Sequence, residues 1–170
     1  MENVNSYVDD LLLRYRSKGV LIDTNLLLML LVGSYKPELL GAAGFKRVAQ
    51  YTPEDLELLK RLLSWFTSAV TTPHVLTEVS NLAAQLAEPD RYNCFKQFGA
   101  VFNGFIELNL ASMGVTKQES FPYLGLTDSV LTSQAEYFLV LSDDLRFIGR
   151  LQQTGRDALN FNHIRTATWT

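Results

Sequence analysis

Gly19-Val20-Leu21-Ile22-Asp23-Thr24-Asn25 is the stretch whose reading decides the fold. An apolar run this short, ending on polar residues, is the pattern of a buried strand in a parallel sheet. A second apolar run, Leu26 to Val32, follows at once and is too long for the same strand. It predicts a buried helix entered directly from the strand. In open α/β sheets, ligands sit beyond the carboxyl ends of the strands, where loops and helix N-termini converge. Asp23 falls at that edge. On its own it is most simply a helix cap, a role that Asp, Thr and Asn all fill well.

Working outward, residues 3–17 place Val4, Val8, Leu11, Leu12 and Tyr15 on one helical face. Gly33-Ser34-Tyr35-Lys36-Pro37 breaks the buried helix, and residues 38–51 read as an irregular excursion. Thr52-Pro53-Glu54-Asp55 is a helix start, with a Thr cap, Pro at the first position and acids in the first turn. Ala69-Val70-Thr71-Thr72 predicts the second strand, and Pro73 opens a helix with Glu78 in its second turn. Glu88-Pro89 ends that helix, and Asp90 is expected to cap the next. Phe95, Phe98, Phe102 and Phe105 recur there at helical spacing, which reads as core.

Residues 111–126 read as a connection with a brief strand near Val115, before Thr127 caps a helix carrying Asp128. Phe138 to Leu141 predicts a buried strand that ends on Ser142-Asp143-Asp144, with a helix after it. Ala158 to Phe161 predicts a last strand before a short polar tail. Strands alternating with helices imply an α/β fold, a mostly parallel central sheet with helices on both faces.

With 170 residues the chain suits a single domain, 1–170, with 1–18 as an N-terminal helical extension. Hydrophobic residues make up 47% and charged ones 19%, the balance of a globular chain and not a disordered one. A net charge of -3 argues against a protein that coats DNA through a basic surface. Cys94 is the sole cysteine, so no intrachain disulfide can form, and a reducing cytoplasm is the expected location. The N-terminal residues include Asp9 and Asp10 and do not resemble a signal peptide. The apolar stretch around Leu21 to Val32 is too short to span a bilayer, so no membrane association is expected.

The acids form a pattern. Asp23 and Asp143-Asp144 end the two clearest strands, and Glu78 and Asp128 lie near the starts of two helices. In a doubly wound sheet, these strand ends and helix starts share one edge. Carboxylates packed together raise one another's pKa and cost stability unless cations sit among them. Their hard oxygens suit Mg2+ or Mn2+. Two such ions can activate water and stabilise the leaving oxygen in phosphodiester cleavage. His74 and His163 are the only histidines, which argues against a zinc site of His and Cys; both read as ordinary polar residues.

These motifs resemble the PIN-domain nucleases, over roughly residues 19 to 162. Val20 to Asn25 looks like that family's first strand with its Asp-x-Asn motif, and Thr72 to Glu78 like its second strand and following helix. Gly125-Leu126-Thr127-Asp128-Ser129 is similar to the segment with its third acid, and Leu141-Ser142-Asp143-Asp144 to its Thr-x-Asp ending, with Ser in place of Thr. The resemblance implies a PIN-like three-layer sandwich and a metal-dependent ribonuclease, in which Asp23, Glu78, Asp128 and Asp144 hold Mg2+ or Mn2+. Asn25 and Ser142 would orient a water or a carboxylate from behind. Asp143 competes with Asp144, and adjacent residues leaving a strand point apart, so one is expected to face the metal and the other to cap the helix. The resemblance favours Asp144 for the metal. It further implies an RNA substrate and admits an antitoxin partner, an RNA-processing role and a homodimer. Residues 1–18 and 33–52 look like additions to the family's smaller members.

Setting the four acids aside leaves 14 of the 18 acids against 15 Lys and Arg, so RNA contacts would come from local patches. Lys46 and Arg47 form one candidate, and Arg146 with Arg150, one helical turn apart, the other. Two rival readings stand beside the nuclease. A catalytically inactive PIN-like module would bind RNA or a protein and keep its acids as caps. A haloacid-dehalogenase-like phosphatase would want a second Asp two residues after Asp23, where Asn25 stands.

Overall fold

A computed structural model describes the backbone of residues 2–168 and the side chains of 6–166. Its five strands, β1 (Val20–Ile22), β2 (Ala69–Thr71), β3 (Phe105–Glu107), β4 (Leu139–Ser142) and β5 (Ala158–Asn160), form one sheet in the order β3-β2-β1-β4-β5. All four pairings are parallel. The chain steps outward from β1 through β2 to β3, then returns to lay β4 against the other side of β1. Right-handed crossovers therefore place the helices of the two halves on opposite faces. This is an α/β fold of three layers, and its topological switch point lies between β1 and β4. There Val20, Leu21 and Ile22 pair with Leu139, Val140 and Leu141. Both strands are buried throughout, which is why they read as continuous apolar runs.

Nine α-helices occur among the described residues: α1 (Glu2–Tyr15), α2 (Thr24–Tyr35), α3 (Pro53–Trp65), α4 (Pro73–Ala83), α5 (Asp90–Phe102), α6 (Ser112–Val115), α7 (Phe121–Gln134), α8 (Leu145–Gln153) and α9 (Phe161–Thr168). Leu11 and Tyr15 of α1 are buried as the helical face predicts, while Val4 lies outside the described side chains. α2 is buried from Leu26 to Gly33 because it packs against α3, α4 and α5 together. Two short 3-10 turns, Pro37–Leu39 and Lys46–Val48, give the irregular 38–51 segment its only regular structure among the described residues. The capping box at Thr52 forms as expected, with Thr52 Oγ1 accepting from Asp55 N and Asp55 Oδ2 accepting from Thr52 N.

Several expectations are corrected. The third strand is Phe105–Glu107, not a segment near Val115, which belongs to the short helix α6. Phe105 continues the aromatic series by contact with Phe102, although it has left the helix. Asp90 does not cap α5: its carboxylate accepts from Tyr35 Oη at 2.8 Å and pairs with Lys36. Thr127 lies inside α7, two residues past a break at Gly125, and is not its cap. The segment expected to be a polar tail forms α9 as far as Thr168, and residues 169–170 lie outside the described residues. Cys94 is buried, and burial pushes its thiol up to about 11, so it is inert. No helix among the described residues is long and apolar enough to cross a membrane.

Gly19 turns the chain from α1 into β1 at φ +104°, a conformation that side chains rarely adopt. A Cβ there would sit 2.3 Å from Ser68 Oγ and 2.9 Å from Ser68 O. Gly19→Ala should therefore destabilise the fold by roughly 2–3 kcal/mol. Gly99→Ala, in α5 with open space around it, should be neutral or stabilising by up to about 1 kcal/mol. Urea denaturation of the two variants checks the contrast.

Candidate active site

At the carboxyl edge of β1, Asp23 is the cap of α2 and only 7% exposed. Both of its carboxylate oxygens are engaged: Oδ1 accepts from Thr24 N and Oδ2 from Ser142 Oγ, each at 2.5 Å. Burial raises its pKa to about 7, with the charges of Asp128 and Asp143 adding to the effect and the two hydrogen bonds opposing it. Ser142, wholly buried at the end of β4, ties the two central strands together. It donates to Asp23 and accepts from Asp144 N at 3.0 Å.

Glu78 stands exposed in the second turn of α4 and accepts from Thr24 Oγ1 at 3.2 Å. Asp128 is half-buried on α7. Burial raises it to about 6, together with the charges of Glu78 and Asp144, against which Arg150 acts. Its position depends on Gly125, whose φ of +75° and ψ of -173° belong to a region that glycine alone occupies readily. The break lets the helix restart so that Asp128 faces α4. Between α4 and this part of α7 lies a cleft of about 640 Å³, with Glu78 and Asp128 on its walls and His74, Asn81, Ser112 and Leu124 around them. His74 Nε2 shares a 2.8 Å hydrogen bond with Ser112 Oγ.

The two adjacent acids take parts different from those expected. Asp144 is the cap of α8, its Oδ1 accepting from Arg146 N at 2.7 Å and Phe147 N at 3.1 Å, while its charge still acts on Asp128. Asp143 caps nothing. Its carboxylate accepts from Tyr51 Oη at 2.5 Å and from Asn25 Nδ2 at 3.3 Å, and its charge acts on Asp23. The chain turns into α8 immediately after β4, so the alternation of an extended strand no longer separates neighbours. Asn25 is thus spent on Asp143.

Three residues that sequence reasoning missed hold this second acid. Tyr51 is fully buried, and Asn162 Nδ2 donates to the Asp143 carbonyl at 3.0 Å. Arg165 donates to Asn162 Oδ1 at 3.1 Å and grips both oxygens of buried Asp55. The signal for two of them would have been α9 itself, since Asn162 and Arg165 lie three apart on one helical face, whereas nothing near Tyr51 marked it. Of the predicted cationic patches, Arg150 makes no ion pair among the described residues but its charge acts on Asp128, and Arg146 lies in the first turn of the same helix. Lys46 and Arg47 do not reach the acids: Arg47 Nε donates to Gln85 Oε1, just past the C-terminal end of α4, while Glu78 lies in that helix's second turn.

Asp23, Glu78, Asp128 and Asp144 therefore share one edge, linked through the charges that act on Asp128 and Asp23. As they stand, no three Asp, Glu, His or Cys side chains among the described residues could hold one ion between them. The donors themselves are all hard carboxylate oxygens, backed by hydroxyls, a set that fits Mg2+ or Mn2+ and no soft metal. No protein-family model matches the chain, and no curated protein does either.

A carboxyl raised from 3.8 to about 7 on folding binds more protons in the folded state across that interval. Stability is then fully present below about pH 4 and lost as pH rises through about 7, by up to roughly 4 kcal/mol. Melting curves in chelator from pH 4 to pH 8 should show that fall. Asp23→Asn, which cannot titrate, should flatten it.

Proposed function

We propose that this chain is a Mg2+- or Mn2+-dependent endoribonuclease that hydrolyses RNA phosphodiester bonds. One observation carries the reading. Four acids from four separate elements lie along the edge that holds the β1–β4 switch point, and burial together with neighbouring charge holds two of them, Asp23 and Asp128, well above the usual carboxylate range. Such an arrangement is costly as a set of caps and is relieved by a cation. The motifs that carry these acids resemble those of PIN-domain nucleases, and the parallel sheet is of the kind that resemblance implies.

Bound among these carboxylates, a divalent cation would polarise a water and neutralise charge on the phosphodiester. The chain's own residues supply the positioning. Ser142 and the Thr24 amide fix both oxygens of Asp23, and Thr24 Oγ1 steadies Glu78. The amides at the start of α8 orient Asp144, and Arg150 offers a positive charge beside Asp128 for a phosphate oxygen. On this reading the chain is the toxin of a toxin–antitoxin pair or an RNA-processing enzyme, and a small neighbouring gene for a DNA-binding protein would favour the toxin. A second reading, an inactive module that binds RNA or a protein, is favoured by the spacing of the acids, which are not gathered around a single point.

Cleavage of labelled RNA in Mn2+ distinguishes the two. Asp23→Asn, Glu78→Gln, Asp128→Asn and Asp144→Asn should each lower the rate more than about 100-fold. Asn caps a helix as well as Asp does, so Asp144→Asn keeps α8 intact and any loss there reflects the charge. Asp143→Asn should stay within about tenfold of wild type, because its oxygens serve Tyr51 and Asn25. Cleavage unaffected by all four substitutions, or absent from wild type, would overturn the enzymatic reading.

A further inference from the structure

Beside the acid cleft, between α7 and α8, lies a second hollow of about 390 Å³. Its walls include Tyr123, Leu124 and Leu151, with Thr132, Arg150 and Gln153 at its polar edges, and no acid lines it. Leu124 also lines the acid cleft, so the two depressions are neighbours sharing one wall. Tyr123 is 81% exposed, and among the described residues its hydroxyl has no hydrogen-bond partner. It comes two residues before the break at Gly125, so the turn that aims Asp128 at α4 also leaves this ring on the rim. Arg150 has no ion pair within 4.0 Å among the described residues, yet its charge is felt at Asp128.

An uncovered aromatic face, apolar walls and an unpaired guanidinium beside a candidate phosphodiester site suit one kind of occupant. We propose that the α7–α8 hollow is a nucleotide subsite, where an unpaired base of single-stranded RNA stacks on Tyr123 and its phosphate meets Arg150. The proposal rests on the ribonuclease reading above. A planar base lays one face on the Tyr123 ring beside half-buried Leu124, and its edge meets the Gln153 amide, which both donates and accepts. A paired base offers no free face, so a duplex would be excluded. The Phe95–Phe98 groove serves this purpose less well: those rings stack on each other, and Glu107 in its wall would repel a phosphate.

The test measures binding of a fluorescein-labelled single-stranded hexaribonucleotide by anisotropy, in EDTA and again in Ca2+, alongside cleavage in Mn2+. Tyr123→Ala should weaken binding about tenfold, and Tyr123→Phe, which keeps the ring, should restore it. Arg150→Gln should also weaken binding and flatten the salt dependence by about one phosphate contact. Tyr137→Ala, at another exposed tyrosine, should bind as wild type does. In cleavage, Tyr123→Ala should raise KM and leave kcat unchanged. If RNA binds in this Tyr123-dependent way but is not cut with any metal, the nuclease reading falls and the subsite stands. Binding that ignores Tyr123→Ala, a loss that Tyr123→Phe fails to restore, equal affinity for a blunt duplex, or no binding by wild type would each overturn the subsite.

Discussion

The hydrogen bond from Ser142 to Asp23 is the contact on which the site depends. It joins the carboxyl ends of the two central strands at the point where the chain reverses its direction through the sheet. A buried carboxylate is costly unless its oxygens are satisfied. Here the cost is offset by that hydroxyl and by the Thr24 amide, and β4 is held in register by Asp23 N donating to Leu141 O at 3.0 Å. Ser142 also accepts from Asp144 N, so one side chain sets the positions of two acids. The carboxyl fixed in this way is the one that feels the charges of Asp128 and Asp143 along the edge.

A second layer fixes the same edge from the far side of the chain. Arg165 on α9 binds Asp55 at the start of α3 and lies over the Tyr51 ring, and Tyr51 in turn donates to Asp143. Asp55 thus has two tasks, closing the capping box of α3 and anchoring the C-terminal helix. Buried pairs of this kind add little net stability but are expensive to break from one side. Their effect here is geometric: Asp143 is held by groups from α2, the segment before α3, and α9, three parts of the chain remote from one another in sequence.

How far the sequence could be read follows the same physics. β1, β2, β4 and β5 were legible because their apolar runs are short and end on polar residues, and the neighbouring placement of Asp23 and Asp144 followed from two such runs. β3 was not, because Phe-Ile-Glu lies at the sheet edge with Ile106 and Glu107 exposed, and Phe105 continued a helical aromatic spacing. The 3.6-residue period had no means of marking where the helix ended. That Asp144 and not Asp143 caps α8 depended on how soon the helix begins, which alternation in an extended strand does not report. Tyr51 and Arg165 were missed because their contacts with Asp143 and Asp55 lie 92 and 110 residues apart in sequence, and Asn162 because it reaches Asp143 from a helix that was read as a polar tail. Lys46 and Arg47 looked like a substrate patch by charge alone, but the excursion that carries them packs toward the far end of α4.

Whether these acids form one cation site decides between an enzyme and an inactive module. The most direct measurement is the anomalous difference map of crystals of the protein grown with Mn2+. Mn2+ density in contact with carboxylate oxygens of Asp23 and Asp128, with Glu78 and Asp144 drawn in directly or through water, is the predicted result. Density elsewhere, or none at this edge at saturating Mn2+, would contradict it.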